Sequence, residues 1–382
     1  MRYTIGQLAE IIDGDRGKNY PKQDEFYPQG YCLFLSTGNV TKEGLIFEEN
    51  QFIMKEKDEA LRKGKLKRGD IVYTTRGTVG NAGYYNSSVP YENVRINSGM
   101  VILRSNGEIV DARFLYQILK SEYYRPYFKQ YCTGSAQPQL PIKNFSQIYL
   151  NVPDIKTQHR IADILSVYDN LIENNQKQIK LLEEAAQRLY KEWFVDLRFP
   201  GHENTKIVDG VPEGWSRGLL KELISVNYGK DHKKAPDDGN IPVYGSGGLM
   251  RKCNKSLFSG EAVLIPRKGS LNNIMYVDET FWTVDTMFYA TMKQPHTAVF
   301  VYFFVKAFDM YSMNIGAAVP SMTAKILDAM DVVIPDKEAL EKFDKCAKTY
   351  FNKIKTLQGQ NERLKIARDL LLPKLMSGEV EV

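Results

Sequence analysis

The feature that most constrains this chain is an irregular stretch of sequence that it contains twice. Residues 134–154 read GSAQPQLPIKNFSQIYLNVPD, and residues 316–336 read GAAVPSMTAKILDAMDVVIPD. At the same offset and without a gap, 14 of 61 positions are identical between residues 134–194 and 316–376. Self-similarity at one fixed spacing indicates a repeated structural unit. Because the spacing is nearly half of the 382 residues, the sequence predicts a duplication rather than a solenoid.

The repeat continues upstream in a weaker, gapped form. The segment RGDIVYTTRGTVGNAGYY (68–85) matches SGEAVLIPRKGSLNNIMYV (259–277), which aligns Arg76 with Arg267. In both copies, short strand-like runs are mixed with short helical patterns. This mixture is typical of α+β structure rather than of regular βαβ alternation.

The order of these segments predicts the domain organisation. The predicted fold class is α+β, with two pseudo-symmetric globular domains separated by a long antiparallel two-helix coiled coil. The linker is rich in Pro, Gly and Asp, which is typical of irregular structure at a boundary. The predicted segments are a first domain at 1–153, a first long helix at 154–195, the linker at 196–215, a second domain at 216–335 and a second long helix at 336–378.

Two segments have the apolar periodicity of long helices. Residues 161–193 contain no Gly or Pro, and a heptad fits them. Its seam positions are Ile161, Leu165, Tyr168, Ile172, Asn175, Ile179, Leu182, Ala186, Leu189 and Trp193. Gly359 interrupts the second segment, at a cost of about 1 kcal/mol relative to Ala. The seam of that segment comprises Phe343, Ala347, Tyr350, Ile354, Leu357, Asn361, Leu364, Arg368, Leu371 and Leu375.

An antiparallel alignment of these helices brings together the single seam asparagine of each. When Trp193 is set opposite Phe343, Asn175 falls opposite Asn361. A buried asparagine pair satisfies its own hydrogen bonds and penalises other registers, so this pair is predicted to fix the alignment. The alternative is that each helix packs only on its own domain.

The sequence contains no recognisable catalytic motif. The pattern GxxxxGK[ST] of P-loop motors, the Asn-Pro-Pro-aromatic motif of amino-methyltransferases and the nucleophile elbow are all absent. The four cysteines and four histidines are scattered, so we expect no metal site, no disulfide framework and no bound cofactor. Without an apolar run of 18 residues or a signal-peptide core, we expect a cytoplasmic protein. The chain is therefore predicted to be a binding protein rather than an enzyme.

Basic residues recur at related places in both copies and are the candidate DNA contacts. Arg76 and Arg267 each follow a strand-like run and precede a glycine turn, and Lys268 directly follows Arg267. An arginine at such a turn can reach a guanine edge, hold a phosphate, or form a surface salt bridge. Lys143 and Lys325 stand near the start of a short helical segment, where they can contact phosphate or remain solvated. The net charge of +5 permits a polyanionic partner without requiring one.

With these features, the sequence resembles the DNA specificity subunits of Type I restriction–modification systems. Residues 134–199 and the motif VPEGW (211–215) carry most of the resemblance. The second copy of the repeated stretch departs from the first, with Val319 and Ser321 in place of two glutamines. Further matching motifs are IPVYGSGGLM (241–250), IPRKGS (265–270) and FWTVDTMFY (281–289).

The resemblance implies two target recognition domains that each read one half of a bipartite DNA sequence. The long helices are then a spacer that sets the unread gap and a docking site for two methyltransferase subunits. Those subunits supply the S-adenosylmethionine chemistry, restriction and motor subunits can join them, and this chain holds no catalytic residue or cofactor. The alternatives are a coiled-coil adaptor that binds only proteins and the specificity part of another restriction–modification enzyme class.

Overall fold

A computed structural model of the chain describes residues 1–134, 137–313 and 321–381. The start of the second repeated stretch, including Val319, therefore lies outside the described residues, as do residues 135–136 of the first. The chain forms two compact units, the first comprising Met1–Asn175 with Gly359–Val382 and the second Gln176–Gln358. The division thus falls within both long helices and not at their ends, because each helix has one half in each unit.

The first unit combines short strands and short helices, which confirms the predicted α+β class. Its elements, in chain order, are β1 (Arg2–Thr4), α1 (Ile5–Leu8), β2 (Ala9–Asp13), β3 (Cys32–Leu35), β4 (Val40–Thr41), β5 (Gly44–Leu45), β6 (Phe52–Ile53), α2 (Lys55–Ala60), β7 (Ile71–Thr74), β8 (Ala82–Tyr84), β9 (Val94–Ile96), β10 (Met100–Ser105), α3 (Ala112–Lys120), α4 (Arg125–Lys129), α5 (Ile142–Ser146), β11 (Tyr149–Asn151) and the first part of α6 (Ile155–Tyr190).

The second unit has a related set of elements. A π-helical turn over Lys191–Val195 continues α6. The elements that follow are β12 (Ile207–Val208), β13 (Val211–Pro212), β14 (Ser216–Leu219), β15 (Ile224–Tyr228), β16 (Ile241–Gly245), β17 (Gly248–Cys253), β18 (Phe258–Pro266), β19 (Met275–Thr283), β20 (Met287–Met292), α7 (Ala298–Lys306), α8 (Ala324–Asp328), β21 (Asp331–Ile334) and α9 (Lys337–Ser377), whose last part belongs to the first unit.

Strand order shows that the two units share one frame. The first unit has a sheet in the order β2-β10-β7-β8, and the second repeats this order as β15-β20-β18-β19. Each unit also has an antiparallel pair that joins an early strand to its last strand, β1 with β11 and β14 with β21. The shared frame confirms the internal repeat that the sequence predicts.

The units differ mainly in what is inserted into this frame. Between β2 and β7, the first unit inserts β3 to β6, and β3 pairs in parallel with β9. Between β15 and β18, the second unit inserts the hairpin β16–β17, and β16 pairs in parallel with β19. A conserved frame therefore supports two different sets of loops.

Buried aromatic side chains fix the short helices on the sheets. In the first unit, the ring of Phe145 from α5 stacks on Tyr73 of β7 with ring centroids 4.9 Å apart. In the second unit, Phe194 lies 4.8 Å from Phe343 and 4.9 Å from Phe300, in edge-to-face contacts that aromatic pairs favour. The helices around each sheet are therefore held by the core and not by their intrinsic propensity.

The segment 196–215 is more ordered than a linker. It contains the β12–β13 hairpin, and Phe199 and Trp215 pack against each other in the core of the second unit with ring centroids 4.8 Å apart. Outside this short hairpin and a 3-10 turn at His202–Asn204, the segment consists of turns and irregular backbone. Its Gly and Pro residues form tight turns, and two large aromatic side chains anchor the chain between them.

The long helices pair as the antiparallel alignment predicts. In the first unit, the Asn175 amide donates to the Asn361 side-chain oxygen at 2.9 Å, and both residues are buried. In the second unit, the rings of Trp193 and Phe343 lie 5.9 Å apart. The predicted contact of the two asparagines is confirmed, while their role in fixing the register stays a prediction.

A network of charged side chains attaches both helices to α3 in the first unit. Asp169 of α6 accepts from Lys120 at 2.7 Å, Gln117 at 2.6 Å and Arg368 of α9 at 2.8 Å. Burial raises the pKa of Asp169, but the positive charges of Lys120 and Arg368 outweigh burial and hold this pKa below its ordinary value. Burial lowers the pKa of Lys120 to about 8. The carboxylate of Asp169 is therefore the centre of this attachment.

Replacing Asn361 alone by Leu is expected to leave Asn175 buried without a partner, which costs about 1–3 kcal/mol of unfolding free energy. Replacing both asparagines by Leu should recover this loss and permit other registers. Urea unfolding of both single variants and the double variant measures the coupling energy. Disulfide trapping between cysteines placed along the seam reports the register. A coupling energy near zero, or an unchanged single register in the double variant, contradicts the prediction.

Asp169→Asn is expected to lower the unfolding free energy by about 3 kcal/mol near pH 7, because it removes the carboxylate that pairs with buried Lys120 and one of the two carboxylates that pair with Arg368. The pKa of Asp169 is lowered in the folded state, so its stabilisation is present above the ordinary aspartate pKa of about 4 and is lost as the pH falls through the lowered value. Urea unfolding at several pH values between 7 and 3 should show the two proteins converging. Asp163→Asn is the control, since Asp163 pairs with Arg113 at the surface. A difference that does not change with pH contradicts this account.

Candidate nucleic-acid interface

In each unit, a tight turn with a basic residue at its start follows the end of one central strand, β7 or β18. The side of the sheet where this strand ends is called the basic edge. After β7, the amides of Thr75 and Arg76 both donate to the carbonyl of Gly99, at 2.9 and 3.1 Å. After β18, the amides of Arg267 and Lys268 both donate to the carbonyl of Thr286, at 2.8 and 3.4 Å. A glycine with positive φ follows in each case, at 71° and 82°. The same pair of backbone hydrogen bonds and a glycine with positive φ thus turn the chain at the same edge of both sheets.

The hydrogen bonds of this turn show which residues are equivalent. The carbonyl of Thr75 accepts from Leu140 at 2.9 Å, and that of Arg267 accepts from Met322 at 2.8 Å. Arg76 and Lys268 are the residues that bridge to the repeated stretch, to Gln139 and Ser321 respectively. Arg76 therefore corresponds to Lys268, and Thr75 corresponds to Arg267. The predicted match of Arg76 with Arg267 is wrong by one residue, because aligning like charges moved the gap by one position.

The two basic residues of the second unit have different environments. Lys268 is exposed, as is Arg76 in the first unit, and neither side chain has a hydrogen bond or ion pair with any residue that the structure describes. Arg267 is half-buried, and its guanidinium lies 5.0 Å from the ring centroid of Tyr228 and 5.2 Å from that of Phe288. Its Nη1 donates to the backbone carbonyl of Asp285 at 3.0 Å. Arg76 and Lys268 are therefore mobile cations, whereas Arg267 is held in place.

A second exposed lysine follows each turn along the chain. Lys143 and Lys325 are the second residues of α5 and α8, and the side chain of neither forms a hydrogen bond or ion pair within the described ranges. In both helices, one apolar side chain two residues further on, Phe145 or Leu327, is fully buried and turns the lysine outward. Each unit thus presents two cations whose side chains are unpaired among the described residues, one on the turn and one on the helix after the stretch that bridges to this turn, which suits contact with a polyanion.

The structure adds Arg16, a residue that the sequence analysis did not single out. Its Nη2 donates to the backbone carbonyl of Ser98 at 3.2 Å and to Asp13 at 3.0 Å. Ser98 directly precedes Gly99, just as Asp285 directly precedes Thr286. No sequence signal identifies Arg16, since it follows β2 whereas Arg267 follows β18, and its acceptor lies far along the chain.

The described residues show no other site for chemistry. No three His, Cys, Asp or Glu side chains among them are grouped as metal ligands would be. Cys32 is fully buried, and burial raises the pKa of its thiol to about 12, so it is not a nucleophile near neutral pH. None of the described helices is long and apolar enough to cross a membrane. The two basic edges are thus the features of the described chain that suit a functional site.

Comparison with known sequences identifies the family. Residues 1–184 and 212–365 each match the family model of the Type I restriction modification DNA specificity domain. The specificity subunit of Type I restriction enzyme MjaIX from Methanocaldococcus jannaschii is 24% identical over 369 residues, covering 85% of this chain and 81% of that protein. The HindI specificity subunit from Haemophilus influenzae is 24% identical over 473 residues, covering 98% of this chain and 100% of that protein.

The fold agrees with this match. The crystal structure of a Type I restriction–modification S subunit from Mycoplasma genitalium superimposes with a TM-score of 0.56 at 18% identity, covering 98% of this chain and 95% of that one. The two family matches cover most of the chain and fall one on each copy of the repeated frame. The chain belongs to the family of Type I restriction–modification DNA specificity subunits.

Proposed function

We propose that each unit binds one half of a bipartite duplex DNA sequence through the edge described above. The observation that carries this proposal is the recurrence of an unpaired cation, Arg76 or Lys268, at the equivalent turn of each unit. Phosphate contacts of such residues position a protein on DNA, and neighbouring loops then read base edges. Because the inserted elements differ, β3 to β6 in one unit and the β16–β17 hairpin in the other, the two half-sequences are expected to differ.

The chain supplies recognition, and its partners supply the chemistry. The specificity subunits of this family are non-catalytic, and we infer that two methyltransferase subunits, with S-adenosylmethionine bound to them, methylate the DNA that this chain selects. Restriction subunits are expected to join through the methyltransferase subunits. On this proposal the paired helices are both the spacer between the two half-sequences and the surface on which the methyltransferase subunits dock.

The helices in the first unit expose apolar side chains that fit such docking. On α6, Val167 and Leu171 are 56% and 45% exposed, and on α9, Ile366 and Leu370 are 59% and 61% exposed. Each pair is four residues apart and therefore forms one patch on its helix. We call these four residues the helix patch.

The helix patch faces away from the attachment to α3. Val167 and Leu171 each stand two residues from Asp169, and Ile366 and Leu370 each stand two residues from Arg368. At 3.6 residues per turn, a side chain two residues away points about 160° from the reference residue. Asp169 bonds to Arg368 and to α3, so Val167 and Leu171 point away from α3, and Ile366 and Leu370 point away from the bond between Arg368 and Asp169. Exposed apolar residues grouped in this way mark an interaction site.

Selection from a randomised duplex DNA library tests the reading function. The full chain, co-purified with the methyltransferase subunit of its own system, is expected to enrich two short sequence blocks separated by a gap without preference. An adaptor that binds only proteins would enrich nothing, and a single block would show that the two units do not read separate half-sequences. The chain alone should transfer no methyl group from S-adenosylmethionine to DNA.

Replacing Leu171 and Leu370 by Glu is expected to abolish co-purification of the methyltransferase subunit, because charged groups cannot be buried in an apolar contact without a partner. The matched control is Asn170→Glu with Gln360→Glu, which makes the same change of charge at exposed polar positions of the same helices. Pull-down of the tagged methyltransferase subunit measures the effect, and thermal unfolding shows that both variants are folded. Equal recovery from the two double variants would rule out docking at the helix patch.

A further inference from the structure

In both units, the carbonyl of Gly99 or Thr286 accepts the two turn amides. An arginine side chain donates a hydrogen bond to the backbone carbonyl of the residue just before it. Arg16 donates through Nη2 to Ser98 at 3.2 Å, and Arg267 donates through Nη1 to Asp285 at 3.0 Å. These carbonyls are equivalent, since the next residue in each unit accepts the two turn amides. The arginines themselves are not equivalent in sequence, because one follows β2 and the other follows β18. Arginines from two different positions in the chain thus place a guanidinium group at the same point of the shared frame.

Contacts restrain both guanidinium groups, although the side chain of Arg16 is 43% exposed. The guanidinium of Arg267 packs against the rings of Tyr228 and Phe288, which also contact each other, and its Nε is buried without a hydrogen-bond partner among the described atoms. Arg16 is held by Asp13, whose carboxylate accepts from the same Nη2 that bonds to Ser98. Because the Nε of Arg267 is buried, the unused donors that it can offer to a ligand are on the terminal nitrogens, whereas the unused donors of Arg16 are on Nε and Nη1.

The neighbouring cation in each unit has no such contacts to restrain its side chain. Arg76 and Lys268 are exposed, and no contact with a described residue restrains their side chains. A mobile cation follows the phosphate backbone at little cost in specificity, since a phosphate is the same at every base pair. A fixed guanidinium has already lost the rotamer freedom that binding would otherwise remove, and its planar fork matches the two acceptors of guanine.

We propose that each unit divides these roles between its two cations. Arg16 and Arg267 read a guanine edge in the major groove, one in each half-sequence, and Arg76 and Lys268 hold the adjacent phosphates. This assignment rests on the proposed function, because it requires that the edge binds DNA. It places the base-reading arginines at equivalent points in space that a sequence alignment does not pair.

The experiment compares six variants of the full chain, each co-purified with the methyltransferase subunit of its own system, by selection from the randomised duplex library and by affinity at several salt concentrations. Arg16→Lys and Arg267→Lys keep the positive charge but remove the planar guanidinium group with its paired hydrogen-bond donors. Arg76→Gln and Lys268→Gln remove the mobile charges. The controls are Arg68→Lys and Arg217→Lys.

The controls match the test residues in local contact but not in position. Arg68 lies ahead of β7, at the opposite end of that strand from Arg76, and its Nη2 donates to the carbonyl of Tyr91 at 3.1 Å. Arg217 in β14 donates through Nη2 to the carbonyl of Asp209 at 2.6 Å. Both are arginines anchored on backbone carbonyls away from the proposed reading edge.

Arg16→Lys is expected to reduce the preference for guanine at one position of one half-sequence by roughly 10- to 100-fold, and Arg267→Lys should do the same in the other half. Arg76→Gln and Lys268→Gln should weaken binding to all sequences alike and reduce the slope of log affinity against log salt by about 1. The controls should change neither quantity.

Each outcome bears on one claim. If the wild type enriches two blocks but Arg16→Lys and Arg267→Lys leave them unchanged, the division of roles is wrong while the proposed function stands. If Arg76→Gln or Lys268→Gln alters a base preference, the roles are reversed and the proposal is overturned. If the wild type enriches nothing, the proposed function fails and this inference fails with it. Should Arg267→Lys unfold, Arg16→Lys decides the matter, since its side chain is less enclosed.

Discussion

The pairing of the two long helices is the constraint on which the rest of the molecule depends. Each helix contributes one half to each unit, so neither core is complete without both helices. The seam is largely apolar, and apolar contacts alone discriminate poorly between registers. The hydrogen bond between Asn175 and Asn361 is directional and buried, and it is satisfied in one register only. We predict that this one polar contact, of about the strength of an ordinary hydrogen bond, sets which residues meet along both helices.

The features that follow a fixed period in the sequence were predicted correctly. The features that depend on backbone hydrogen bonds were not. The heptad pattern and the fixed offset of the repeat predicted the helices, the contact of their asparagines and the duplicated frame. The offset is constant only in the last part of each unit, where no insertion intervenes. Upstream, the alignment paired Arg76 with Arg267, although the carbonyls of Gly99 and Thr286 pair Arg76 with Lys268. A gap placed by residue type cannot detect which amide reaches which carbonyl.

Two further features of the structure could not be predicted from the sequence, for a related reason. Arg16 takes its position from the carbonyl of Ser98, which is distant along the chain and lies in the turn between β9 and β10. Segment 196–215 has the composition of a loop, yet Phe199 and Trp215 anchor it in a core that exists only after the chain has folded. Both cases depend on tertiary contacts, and local composition contains no record of them. The same frame with different insertions nevertheless explains how a duplicated chain can recognise two unlike sequences.

The discontinuity of the first unit has a consequence for the order of events during synthesis. The second unit is one unbroken segment, Gln176–Gln358, and all of its residues are available before the ribosome reaches the end of the chain. The first unit begins at Met1 but requires the final segment, whose Leu372 and Leu375 are buried in the same cluster as Ile161 and Leu165. Domains generally fold as units during synthesis, from the amino terminus onward. Here the amino-terminal unit is completed after the second unit, and its half of the α6 seam stays without its partner until the segment Gly359–Val382 has been synthesised.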